Sequence, residues 1–134
     1  MHGQQVTPDV RRRDEAVIRQ ELGPVGHREI EYVDEGWDSR VYLLNDGEVV
    51  FKFPRSDLVR AQFRLEVDAL RLLENVSTAV QTPRVRYEHP DLEYFGYAGV
   101  VGRSLAETAL DATGKAAVGA AIGGFLRALH QLDL

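Results

Sequence analysis

The sequence predicts an α+β fold: a five-stranded antiparallel sheet with a long helix packed on it, an N-terminal helix, and further helices at the C-terminus. Three observations predict it. Asn45-Asp46-Gly47 separates two apolar stretches and tolerates the positive backbone angles of a tight hairpin. Residues 56–75 carry apolar side chains at helical intervals. Two stretches rich in aromatic and β-branched residues, 84–87 and 94–101, flank the turn-forming His89-Pro90-Asp91.

Taken in order, Thr7-Pro8-Asp9 supplies a helix cap with proline just inside, Val10, Ala16, Val17 and Leu22 follow at helix-like spacing, and Gly23-Pro24 ends the segment. Ile30, Tyr32 and Val33 form a first strand and Val41 to Leu44 a second, with Gly36-Trp37-Asp38-Ser39 as the turn between. Glu48 to Phe53 is the third strand, stopped by Pro54. Ser56-Asp57 then cap the long helix, whose stripe is Val59, Phe63, Val67, Leu70 and Leu73. Arg84 to Tyr87 and Tyr94 to Val101 are strands four and five, and Gly102 closes the sheet region. A short helix over Ser104 to Glu107 and a longer one from Asp111 to about Gln131 complete the chain.

Composition narrows the function classes. With 44% apolar and 28% charged residues the 134-residue chain can bury a core and should fold as one domain. Its net charge of −5 argues against a nucleic-acid partner, which calls for a basic surplus. There is no cysteine, and His2, His27, His89 and His130 are too scattered for metal-ligand spacing. The N-terminus lacks the apolar stretch of a signal peptide, so a cytoplasmic location is expected. The most apolar run, Ala116 to Leu126, is shorter than the ~20 residues a bilayer requires and contains Gly119, Gly123 and Gly124, so it reads as a buried helix rather than a membrane segment.

Two charged residues sit where charge is out of place. Glu66 lies three residues after Phe63 and four before Leu70, which places its carboxylate in the apolar stripe of the long helix. A carboxylate there needs a partner, because breaking a buried pair costs about 3–5 kcal/mol. Lys52 is the matching cation, set in Val49-Val50-Phe51-Lys52-Phe53, a strand otherwise suited to burial on both faces. Alternation puts Val50 on the face of Lys52, so one face offers a small apolar residue and then an ammonium, an order suited to a base followed by phosphates. The other reading makes Lys52 a guard on an edge strand and Glu66 only marginally buried.

These residues resemble the aminoglycoside phosphotransferase family of antibiotic and small-metabolite kinases, which shares the protein-kinase fold. Four segments carry the resemblance: Glu35-Gly36-Trp37-Asp38-Ser39-Arg40-Val41-Tyr42-Leu43, Val50-Phe51-Lys52-Phe53-Pro54-Arg55, Tyr97-Ala98-Gly99-Val100-Val101-Gly102 and Phe125-Leu126-Arg127-Ala128-Leu129-His130. They span about residues 30–134. The resemblance implies an N-terminal helical segment over 1–25, a kinase-like N-lobe with hinge over 26–103, and the first helices of a second lobe over 104–134. It implies that Lys52 and Glu66 form the strand-to-helix ion pair of such folds, with Lys52 on the phosphates of ATP or GTP. It further implies that Gly36 to Ser39 cover the triphosphate through backbone amides and the Ser39 hydroxyl, and that Val41 and Val50 line the base. Main-chain groups of Ala98 and Val100 would meet the adenine edge, with Tyr97 behind it. The turn has one glycine where protein kinases have three, so by itself it also reads as an ordinary hairpin turn.

Other motif-like stretches do not carry chemistry. Gly96, Gly99 and Gly102 do not make a dinucleotide fingerprint; Gly114-Lys115-Ala116 lacks both the upstream glycine and the hydroxyl residue of a P-loop. His130-Gln131-Leu132-Asp133 reads as a helix end rather than a catalytic loop. The family places its catalytic aspartate and its Mg2+ ligands in a C-terminal lobe, so the resemblance implies no catalytic or metal-binding residue before Leu134 and a fragment inactive alone. The family's acceptor is a hydroxyl of a small molecule. An isolated lobe would expose apolar surface on its cleft side and along residues 116–126, which predicts self-association. A second function class stays open: a non-catalytic, kinase-like interaction module that binds a protein through that cleft face.

Overall fold

Thr7 accepts a hydrogen bond from the Val10 amide at 3.3 Å and Pro8 fills the first turn, so α1 runs Pro8–Leu22. It ends where Gly23 adopts φ +73°, the left-handed region open to glycine. The computed structural model describes residues 6–23, 29–34, 36–76, 79–103, 105 and 108–132. Glu35, Pro24, and Ser104, Ala106 and Glu107 of the expected short helix lie outside the described residues.

The strands are β1 Ile30–Val33, β2 Ser39–Leu44, β3 Val49–Pro54, β4 Arg84–Glu88 and β5 Phe95–Ala98. They form one antiparallel sheet in the order β1-β2-β3-β5-β4. The β2–β3 hairpin closes through a 3-10 turn in which Asn45, Asp46 and Gly47 all take positive φ, as the Asn-Asp-Gly sequence requires. The crossover between β3 and β4 is α2, Asp57–Leu73, capped by the Ser56 hydroxyl, which accepts from the Val59 amide.

Alternation divides the sheet into two faces. On one, Tyr42, Leu44, Phe51 and Phe53 join Ile30 and meet Ile18 of α1. On the other, Phe95 and Val85 meet Phe63 and Val67 of α2, with Leu92 closing the end. The deepest anchor of α1 is thus Ile18, not the Val10–Ala16–Val17–Leu22 series; Ala16 faces solvent.

Two expectations need correction. β5 ends at Ala98, not Val101, because both neighbouring strands begin their pairing there: Val49 and Arg84 each lie opposite Ala98. One more bond, from the Gly99 amide to the Glu48 carbonyl (3.0 Å), finishes the ladder, and Val100 and Val101 are exposed. The helix over Ala116 to Leu126 forms, as part of α3 Ala112–His130, but none of its residues is buried. Its apolar pattern is that of a packing helix, and no described element packs extensively against it. Among the described residues, no helix is long and apolar enough to cross a membrane.

Candidate functional site

β3 lies between β2 and β5, so Lys52 is on an interior strand and the edge-guard reading of it fails. Its side chain leaves the sheet on the α2 face, with Val41 opposite it on β2 and Phe95 opposite it on β5. Phe63 and Val67 press α2 onto this face, which brings Glu66 to Lys52: Nζ donates to Oε1 at 2.7 Å. The ammonium also lies 5.6 Å from the ring centroids of both Phe63 and Phe95, whose faces attract a cation. The pair sits at a rim rather than in the core, with Lys52 19% and Glu66 39% exposed. Glu66 is therefore less buried than the stripe implies, because it falls on the flank of a contact centred on Phe63 and Val67.

The other expected site residues fall around this pair. Val50 shares its face and is buried, and Tyr97 stands opposite Val50 on β5. Burial raises the Tyr97 hydroxyl pKa, and the Glu66 charge adds to the shift. Ser39 opens β2 instead of belonging to the turn, lies opposite Pro54, and is 5% exposed. Gly36 is required where it stands, since a Cβ there would come 2.7 Å from the Ser39 carbonyl oxygen. The Arg55 amide donates to the Asp38 carbonyl (3.0 Å), tying the turn to the end of β3. Ala98 and Val100 lie at the opposite end of β3, where Val49 pairs with Ala98. Along β3 the order is thus the end paired with Ala98, then Lys52, then the turn end, with about 10 Å from Val49 to Lys52 at ordinary strand rise.

Concavities among the described residues lie away from Lys52. A groove of about 750 Å3 opens on the opposite face, among Asp14, Arg40, Phe53, Arg55, Arg60 and Tyr94. Lys52 is not part of its lining, and its arginines include two already engaged by carboxylates, Arg40 by Asp14 and Arg60 by Asp57. A smaller hollow of about 350 Å3 meets Ala98, Gly99 and Val100 just past the end of β5. Among the described residues, no three His, Cys, Asp or Glu side chains lie together as a metal site.

Sequence reasoning missed a buried charge. Asp14 of α1, 5% exposed, accepts from Arg40 Nε at 2.6 Å, Arg40 Nη2 at 3.1 Å and the Tyr42 hydroxyl at 2.6 Å. Arg40 Nη1 donates to the Pro54 carbonyl at 3.3 Å. Burial alone would lower the Arg40 pKa, but the Asp14 hydrogen bonds and charge outweigh it and the net shift is upward. The Tyr42 pKa is raised, first by burial and then by its bond to Asp14. The available signal was the position of Asp14 one helical turn before Ile18, the same logic that singled out Glu66.

A sequence model of the Phosphotransferase enzyme family matches residues 29–134. The chain belongs to that family. Among solved structures it is similar to the streptomycin–ATP ternary complex of APH(2″)-IIa, with 25% identity and TM-score 0.75 over 97% of this chain and 42% of that one. It is also similar to aminoglycoside phosphotransferase APH(2″)-Ib with ADP bound, at 22% identity and TM-score 0.71 over 96% of this chain and 41% of that one. The GDP complex of wild-type aminoglycoside 2′-phosphotransferase-IIIa gives 23% identity and TM-score 0.73 over 90% and 42%. No curated protein matches the chain. The fold is the kinase-like N-lobe of these phosphotransferases, and the chain spans about two fifths of their length.

Proposed function

We propose that this chain is the nucleotide-positioning lobe of a phosphotransferase that moves the γ-phosphate of ATP or GTP to a hydroxyl of a small molecule. The supporting observation is the Lys52–Glu66 ion pair, 2.7 Å long on the sheet face of Val41, Val50 and Tyr97. Glu66 fixes the ammonium, and the ammonium neutralises phosphate oxygens; Val41, Val50 and Tyr97 line the base. Gly36 and Ser39 bound the turn over the phosphates, and the main chain of Ala98 and Val100 meets the base edge. In such a transfer the acceptor oxygen bonds to the γ-phosphorus as the bond to the leaving diphosphate oxygen breaks, and catalysis is positioning plus charge stabilisation. In this reading the ligands of Mg2+ belong to the second lobe; among the described residues no three His, Cys, Asp or Glu side chains lie together as a metal site. In the same reading residues 1–25 are a helical segment, 26–103 the lobe with its hinge, and 104–134 the beginning of a second lobe.

Lys52→Ala tests this reading. Titration with ATP and GTP, followed by backbone amide shifts so that millimolar affinity is readable, should show triphosphate affinity falling about 10- to 100-fold. That range corresponds to the loss of one hydrogen bond to a charged group. Unchanged affinity would overturn the assignment. It would favour instead an interaction module; the apolar row open to a protein partner is then on the solvent side of α2, where Leu58 and Leu65, both 72% exposed, and Leu72 recur at seven-residue intervals, rather than on the cleft face.

A further inference from the structure

The Asp14–Arg40 fork lies on the sheet face opposite the ion pair and adjoins the turn that precedes β2. Arg40 immediately follows Ser39, and its fork is occupied on two sides. Nε and Nη2 meet both oxygens of Asp14, and Nη1 meets the Pro54 carbonyl at the end of β3. The guanidinium also lies over the Phe53 ring, 5.6 Å from its centroid. The next residue, Arg55, donates its amide to Asp38 inside the turn. A carboxylate on α1 is thereby joined through one guanidinium to β2, which the turn leads into, and to the end of β3, on the face opposite Lys52.

We infer that Asp14 is a positioning residue for phosphate binding: by clamping Arg40 it fixes the turn at residues 36–39 against the end of β3. The inference rests on the reading of that turn as the cover of the triphosphate. Its physical basis is the bidentate pairing, which fixes orientation as well as distance, to a carboxylate that is 5% exposed. Tyr42 bonds to the same carboxylate but does not touch the turn, and Glu21 ties α1 to the sheet elsewhere, accepting from the Tyr94 hydroxyl at 2.6 Å. These two contacts separate a positioning role from ordinary docking of the helix.

The test is the ratio of triphosphate to nucleoside affinity, with ATP against adenosine and GTP against guanosine, followed by amide shifts in the 134-residue chain. Asp14→Asn should lower that ratio about tenfold, because the phosphate contacts loosen while the base contacts stay. Tyr42→Phe and Glu21→Gln should lower the melting temperature yet leave the ratio within about twofold. If Asp14→Asn does not fold, Arg40→Lys carries the same criterion, since it keeps the charge facing Asp14 and loses the fork. A proportional loss for triphosphate and nucleoside, or an equal effect of Glu21→Gln, would overturn the inference. The nucleotide reading would survive that outcome provided Lys52→Ala still weakened triphosphate binding; with no response to Lys52→Ala, both fall.

Discussion

Tyr94 holds its proton more tightly than a free tyrosine: burial and then the hydrogen bond to Glu21 push its pKa from 10.0 to about 12. Tyr42 and Tyr97 are shifted in the same direction, with burial the leading cause for each. A pKa raised by folding contributes stability that is complete below the unfolded value and is lost as pH rises through the folded one. The melting temperature is therefore expected to be unaffected by these groups below pH 10 and to fall as pH climbs from 10 toward 12. Ultraviolet titration of phenolate, run beside the melting curves, checks it; a flat stability profile across that window would contradict the assignment. Lys52 behaves differently. With Glu66 39% exposed, the pair contributes only about 0–1 kcal/mol to stability, so Lys52→Ala should change binding far more than melting.

Among the elements, the chain leaving β5 passes close against the β2–β3 turn. Gly99 passes so close to the β2–β3 turn that a Cβ would lie 2.1 Å from the Gly47 carbonyl oxygen, a backbone atom that cannot rotate away. Gly99→Ala should therefore cost about 1–3 kcal/mol by overpacking, and chemical denaturation would register it as a lowered midpoint. Gly119, Gly123 and Gly124 of α3 have open space beside them, so the same substitution there should be neutral or mildly stabilising. The packing of α2 is tested by Phe63→Ala. Phe63 is 1% exposed and stands edge-on to Phe95, ring centroids 4.9 Å apart, so its loss should cost about 3–5 kcal/mol. A loss under 1 kcal/mol would mean that α2 is not held as described.

At the scale of the whole molecule, apolar side chains remain on two helices. Ile122 and Leu126 are exposed on α3, and Leu58, Leu65 and Leu72 are exposed on α2. Exposed apolar stripes of this kind mark surfaces that associate. Light scattering is expected to give an apparent mass that rises with concentration, and Ile122→Glu with Leu126→Glu should bring it back to that of one chain. A constant single-chain mass in the unaltered protein would remove the expectation.

The sequence by itself determined the elements and their kinds, because these are encoded over short distances. Asn45-Asp46-Gly47 dictates a hairpin, the Phe63–Val67 spacing dictates a helix face, and Thr7, Ser56 and Asp111 accept the amides that cap their helices. It also exposed the Lys52–Glu66 pair, since a lone ammonium in an apolar strand and a carboxylate in an apolar stripe each violate burial preference where a reader can see it. The tertiary structure decided what depends on neighbours distant in the chain. It set the strand order that makes β3 interior, the stopping of β5 at Ala98 where both partner ladders begin, and the exposure of α3. It also joined Asp14 to Arg40 across twenty-six residues. Asp14 looks ordinary in its charged local sequence, and only the packing of α1 onto the sheet buries its carboxylate against Arg40 and Tyr42.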